Sequence, residues 1–299
     1  MRDNWHPKAP YDFSSVLQRY ASRPSRRLVV DAKAGILTRT LQLGDRVVPL
    51  TITSKGTVDS PWIEVTYPDW AASHHIRIAV DRILGLDIDL SQFETHMAKD
   101  RVWHPLLERF RGVRPMQEGD LFETMVKVII GQQLNVTFAA TLVDRLIDYG
   151  GHFVQWEGQT LWVFPSAREV AGWTPDDLRQ LSFSQRKAEY VIDWARSVMD
   201  GTVDLAQLWD MSDDQVTNQL MPLRGVGQWT VECFLLFGLG RLDVFPAPDI
   251  GVQRAMQRLY QWPVRPNIDI IRQTAQAWSP WRSLATYYLW QSLLAAPVL

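Results

Sequence analysis

Apolar residues recur along this chain with two different periods. Between residues 11 and 100 they come in short β-branched blocks: Leu28-Val29-Val30, Ile36-Leu37 through Leu41, Val47-Val48 through Ile52, and Trp62-Ile63 through Tyr67. Blocks of this length predict strands. The Asp- and Gly-containing breaks between them predict hairpin connections, and so an antiparallel sheet. Helical spacing brackets these blocks over 13–21, behind Asp12, and over 76–84. After Gly119 the period changes to that of helices. Helices are predicted over 121–149, with a break at Gly131-Gln132-Gln133-Leu134-Asn135, then over 167–171, 175–181, 185–199, 213–221, 230–237, 250–259, 268–277 and 283–295. Asp120 with Glu123 predicts a capping box at the first of these. The expected fold class is α+β, with an antiparallel sheet and its helices over 1–110 and an all-α domain over 111–299. The chain crosses between them near Pro105 to Pro115. No repeat of fixed period and no low-complexity tract interrupts this pattern.

Composition narrows the picture. At 299 residues the chain is long enough for two cores. It contains no apolar run long enough for a membrane span, and Met1 to Pro7 has no apolar signal region, so a cytoplasmic location is expected. Cys233 is the only cysteine, which excludes an internal disulfide and any four-thiolate cluster. Net charge is −2, and residues 101–299 hold 18 Lys and Arg against 21 Asp and Glu. That balance speaks against a broad basic field for nucleic acid. Any phosphate contact must then rest on local geometry, through backbone amides.

One stretch offers such geometry. Pro222 ends a helix, and Leu223-Arg224-Gly225-Val226-Gly227-Gln228-Trp229-Thr230 leads into the next. Gly225 and Gly227 permit backbone angles closed to other residues. The free N–H groups of a helix start at Thr230 could receive a phosphate. A Gly-x-Gly turn alone is a weak signal, and a turn without ligand is the plain alternative. Twenty-two residues after Gly227, Asp249 follows Pro248 at the start of another helix. It reads as an N-cap, and equally as a persistent carboxylate able to stabilise an oxocarbenium-like sugar when an N-glycosidic bond breaks. Asp243, before the helix-breaking Pro246, reads as structural.

Leu-x-Gly-Val-Gly-x-Trp-Thr followed by Asp-Val-Phe-Pro-x-x-Asp resembles the helix-hairpin-helix DNA glycosylase superfamily, and within it the bacterial 3-methyladenine DNA glycosylases of type II. Tyr11-Asp12-Phe13-Ser14, Asp120-Leu121-Phe122-Glu123, Ile130-Gly131-Gln132-Gln133, Phe164-Pro165-Ser166, Lys187-Ala188-Glu189 and Pro280-Trp281-Arg282-Ser283 extend the resemblance over nearly the whole chain. It implies a helix-hairpin-helix core of two helical subdomains with the active cleft between them. The implied partner is double-stranded DNA carrying damaged bases, met by a monomer that flips the target nucleotide into the cleft. The resemblance matches Asp249 to the catalytic aspartate and Gly225, Val226, Gly227 and Thr230 to the phosphate-gripping hairpin. It also matches Trp229 and Trp290 to the base pocket, where electron-rich rings would attract a cationic base such as 3-methyladenine or 7-methylguanine. No cofactor is required, although Met221, Leu223 and Val226 match positions whose carbonyls hold a structural Na or K.

Gln133 or Leu134 falls where the family places the side chain that fills the gap left by the flipped base. Leu134 reads equally as core. Trp229 occupies the position of the lysine that strand-cutting relatives use. Only Lys127 and Lys187 remain in 101–299, so water should complete the reaction and leave an abasic site. The chain departs from the family pattern at Arg19, Cys233 and Gln291, where relatives have aromatic rings, with Tyr20 or Tyr288 as substitutes. The alternatives are a glycosylase of the same fold for deaminated or oxidised bases, hypoxanthine or 8-oxoguanine, and a non-catalytic DNA-binding module.

Overall fold

The structure is a computed structural model describing residues 1–22, 25–44 and 46–294. Five strands, β1 (Arg2–Trp5), β2 (Leu28–Asp31), β3 (Ile36–Leu43), β4 (Arg46–Ser54) and β5 (Ile63–Thr66), form one antiparallel sheet in the order β1-β5-β4-β3-β2. Its register pairs Leu37 with Ile52 and Leu41 with Val48. Alternate residues therefore share a face, and α1 (Phe13–Ala21) and α2 (Ser73–Leu84) bury that face around Leu37, Leu50, Ile52 and Val65. Strand β1 is absent from the sequence reading, because Asp3 and Asn4 are residues depleted in strands. It exists by pairing with β5, Arg2 against Thr66 and Trp5 against Ile63.

Two short helices follow, α3 (Leu90–Met97) and α4 (His104–Arg109). Then come α5 (Leu121–Gly131), α6 (Val136–Gly150), the hairpin β6 (Phe153–Trp156) and β7 (Gln159–Trp162), and α7 (Ala167–Gly172), α8 (Pro175–Gln180) and α9 (Gln185–Met199). The chain continues with α10 (Asp213–Leu220), α11 (Gln228–Phe237), α12 (Ile250–Leu259), α13 (Ile268–Ala275) and α14 (Arg282–Leu294). The helix expected over 283–295 thus runs to Leu294, and Ala295 lies outside the described residues.

The C-terminal region is therefore not all-α. Its hairpin turns at Glu157 and Gly158, both with positive φ (48° and 78°), as a two-residue hairpin loop requires. It covers the second face of the sheet, where Trp156 Nε1 donates to Thr51 Oγ1 (3.0 Å) and Thr51 donates to Glu157 (2.7 Å). The Trp162 N–H continues the contact to the Arg26 carbonyl.

Among the described residues three hydrophobic cores form. One lies within the sheet layer, and a second is built by α5, α6, α9 and α11 around Met125, Leu146, Val191 and Phe234. The third joins Phe93, Trp103 and Leu106 of α3, α4 and their linker to Met256, Trp278 and Tyr288 of the C-terminal helices. Residues 90–110, placed with the sheet in the 1–110 division, pack in this third core.

A buried charge cluster ties the sheet to the second core. Arg27 pairs with Glu123, which is 1% exposed. Lys127 bridges Glu123 (2.7 Å) and Glu118 (2.6 Å), and Arg39 donates to the Glu118 carbonyl. Asp120 caps α5 through the Glu123 amide. The returning half of the expected capping box is replaced, since the Glu123 carboxylate is turned to Arg27 and Lys127.

Candidate active site

Asp249 stands where the second and third cores meet. It is the N-cap of α12, and its Oδ1 accepts the Val252 N–H at 2.9 Å. Two indoles complete its shell. Trp290 Nε1 donates to Oδ1 at 3.0 Å from α14, and Trp229 Nε1 donates to Oδ2 at 3.1 Å from the first turn of α11. Oδ1 is thereby filled by two donors, while Oδ2 keeps one lone pair. Gly251 makes this packing feasible, because a Cβ there would lie 2.9 Å from Oδ1 and 3.2 Å from the Trp290 ring.

The sequence reading assigned Trp229 and Trp290 to a pocket wall. Their N–H contacts to the carboxylate are visible only once three helices are folded together. Trp290 also stacks on Phe237 (5.3 Å, 16°), and the Arg19 guanidinium lies over Phe237 (5.9 Å) and Tyr287 (5.1 Å). Phe237 is thus an aromatic neighbour of the site that the motif search missed. Tyr288 is no substitute ring, since its hydroxyl donates to the buried Phe110 and Val113 carbonyls. Tyr20 is engaged by Arg39. Cys233 is buried, and burial pushes its thiol well above the usual range, with the charges of Asp249 and Glu232 adding to the effect.

The hairpin lies one turn away. Its helix begins at Gln228 with Gly227 as N-cap, two residues earlier than predicted. The first intrahelical bond runs from the Val231 N–H to the Gly227 carbonyl, so the amides of Gln228, Trp229 and Thr230 have no acceptor within the helix. Gly227 and Gln228 are exposed. Thr230 is not. It is 2% exposed, and its hydroxyl accepts from Gln132, whose amide also donates to the Gly225 carbonyl. Gly225 has φ +83°, and a Cβ there would run into the Tyr190 ring.

Across from the hairpin, the break after α5 separates the two wedge candidates. Gln133 is exposed at φ +56°, whereas Leu134 packs against the second core. Lys187 and Lys127 are both committed elsewhere. Burial lowers the Lys187 amine to about 8, yet its donors go to the Ile129, Ile130 and Gln132 carbonyls. Asp243 is structural, held by Arg282 through two bonds (2.7 and 2.9 Å) and by Ser279. Among the described residues no group of three or more His, Cys, Asp or Glu could hold a metal ion.

A hairpin that presents amides, followed by a carboxylate pinned beside it, is matched by a known family. A profile described as HhH-GPD superfamily base excision DNA repair protein aligns with residues 126–280, from within α5 to just before α14. The chain belongs to this superfamily. A putative DNA-3-methyladenine glycosylase of Bacillus subtilis is 33% identical over 95% of this chain and 96% of its own. The fold of an Archaeoglobus fulgidus 3-methyladenine DNA-glycosylase superposes with TM-score 0.87 at 24% identity, over 99% of this chain and 100% of that one. A Schizosaccharomyces pombe 3-methyladenine DNA glycosylase, solved in complex with abasic DNA, aligns with TM-score 0.59 at 25% identity, over 69% and 98%. The HhH-GPD match spans the chain from within α5 to the turn before α14, while the Archaeoglobus structure shares the sheet domain as well.

Proposed function

We propose that this HhH-GPD protein is a monofunctional DNA glycosylase that removes alkylated bases of the 3-methyladenine and 7-methylguanine type. The observation that carries the reading is the Asp249 carboxylate, gripped by the Trp229 and Trp290 indole N–H groups beside a hairpin that holds tryptophan at the lysine position. The target nucleotide leaves the stack because its glycosidic bond is out of reach there. The amides of Gly227 and Gln228 meet a phosphate, and Gln133 fills the gap. The C1′–N bond then breaks with its electron pair going to the base, neutralising the charge of an alkylated purine. Asp249 stabilises the positive sugar through its open Oδ2 position. Water adds at C1′ and loses a proton, leaving an abasic site and an uncut strand.

The carbonyls of Met221, Leu223 and Val226 are neutral oxygen donors of the kind that suits an alkali cation. The Leu223 carbonyl already accepts the Val226 N–H at 3.1 Å and keeps one lone pair. A Na or K ion there would add positive charge near the phosphate. We also assign phosphate contacts to the exposed Arg254, Arg258 and Arg265, and to Arg272, whose charge also acts on Glu232. Among the described residues no helix is long and apolar enough to cross a membrane. We propose that the enzyme works in the cytoplasm, as a monomer on DNA.

The test is abasic-site formation on methylated duplex, developed with alkali. Asp249→Asn should reduce it by about 100- to 1000-fold, as loss of a main transition-state stabiliser does. A variant as active as the parent would sink the mechanism. Borohydride should trap no protein on DNA, and a trapped adduct would overturn hydrolysis by water.

A further inference from the structure

The first turns of α9 touch both DNA-facing loops through separate contacts. Lys187 Nζ donates to the carbonyls of Ile129 (2.8 Å), Ile130 (3.0 Å) and Gln132 (2.7 Å). These lie at the end of α5, where carbonyls lose their helical partners. Lys187 is therefore the C-terminal cap of the helix that leads into Gln133. Farther along α9, Glu189 pairs with Arg224, Asp193 lies 3.5 Å from the same guanidinium, and the Tyr190 ring supports it at 5.5 Å. The Tyr190 ring also occupies the space that Gly225 leaves by lacking a Cβ. Gln132 joins the two assemblies, its carbonyl held by Lys187 and its side-chain amide donating to Gly225 O (2.8 Å) and Thr230 Oγ1 (3.0 Å).

We infer that Lys187 and Gln132 are positioning residues for nucleotide flipping, which fix the spacing between the Gln133 wedge and the phosphate-binding hairpin. The inference rests on the glycosylase reading above. Flipping needs the backbone gripped while the vacated stack is filled, so an error of about 1 Å between the two loops breaks the match to the duplex. Neither side chain touches the sugar or the base in this role. Their loss should matter when a paired base must be extruded, and little when the lesion is already unpaired.

Gln132→Leu cuts only the tie to the hairpin. Lys187→Met removes the cap, and Lys187→Arg offers replacement donors. Excision of one lesion is measured in matched duplex and in single-stranded DNA, beside melting of the free proteins. Gln132→Leu and Lys187→Met should lose about tenfold or more on the duplex and stay within about threefold of the parent on the single strand. Lys187→Arg should recover much of the duplex rate. Equal losses on both substrates, or none on the duplex, overturn the inference. A second readout does not depend on catalysis: fluorescence of 2-aminopurine placed beside a tetrahydrofuran abasic analogue. The parent should raise it on binding and the variants should raise it less. Variants equal to the parent there overturn the inference even if the parent excises no base, a result that would by itself sink only the glycosylase reading.

Discussion

Asp249 gains its setting from two residues that were assigned other work. Each indole N–H is a hydrogen bond to a charged group, a class that contributes about 1.5–3 kcal/mol. Trp290→Phe keeps the stack on Phe237 but removes the donor to Oδ1. The expected result is a fall in kcat of about 10- to 100-fold with KM for duplex nearly unchanged, measured by single-turnover base release and DNA titration. A variant that loses affinity but keeps kcat would return Trp290 to a wall of the base pocket. Gly251→Ala should also lower kcat, because its Cβ would push on Oδ1 and the Trp290 ring together. At this scale, residue type and spacing singled out Asp249, while the two tryptophans came from the family resemblance. The direction of the indole N–H groups was hidden, since it depends on how α11, α12 and α14 meet. Equally hidden was that Gln133 is exposed while Leu134 packs against the second core.

Helices and their caps were read well where local chemistry decides them. Asp12, Asp120 and Asp249, placed at helix starts by the spacing, are N-caps whose side chains accept backbone N–H groups. Elements that exist through distant pairing were missed. Strand β1 has Trp5 as its only strand former and forms against β5, and β6 and β7 turn at Glu157-Gly158, which is not one of the Asn-Gly or Asp-Gly pairs that announce a hairpin. The loop between α11 and α12 depends on such a distant partner. Asp243 holds Arg282 at the start of α14, which keeps Asp249 and Trp290 in register. Burial raises the Asp243 carboxyl, but the Arg282 and Ser279 hydrogen bonds outweigh it and leave it below its usual value of 3.8. A lowered carboxyl stabilises the fold above the unfolded value, and that stability is lost as pH falls through the folded value. Asp243→Asn should therefore cost about 1–2 kcal/mol at pH 7, allowing for partial exposure. The difference from the parent should shrink as pH drops below about 4. Denaturant melts across pH check this, and a deficit that persists unchanged in acid would show that the charge is irrelevant.

Over the whole molecule, the net charge of −2 conceals an uneven distribution. Residues 250–299 carry five arginines against the single acid Asp269, while residues 1–249 hold 26 basic and 32 acidic residues. Arg254→Gln with Arg258→Gln should lower the slope of log KM against log salt by about one unit per arginine, with kcat at saturating DNA unchanged. An unaltered slope would remove these residues from the DNA interface. The sequence by itself determined the α+β class, most helices with their caps, the hairpin motif and the carboxylate that follows it. These depend on local periodicity, capping and turn chemistry, which act over a few residues and are written in their order. Only the tertiary structure decided that α3 and α4 share a core with the C-terminal helices, that two indoles hold Asp249, and that α9 supports both the break after α5 and the hairpin before α11. Those contacts join residues tens to hundreds of positions apart, and their distances and directions follow from how the helices pack, which no local pattern encodes.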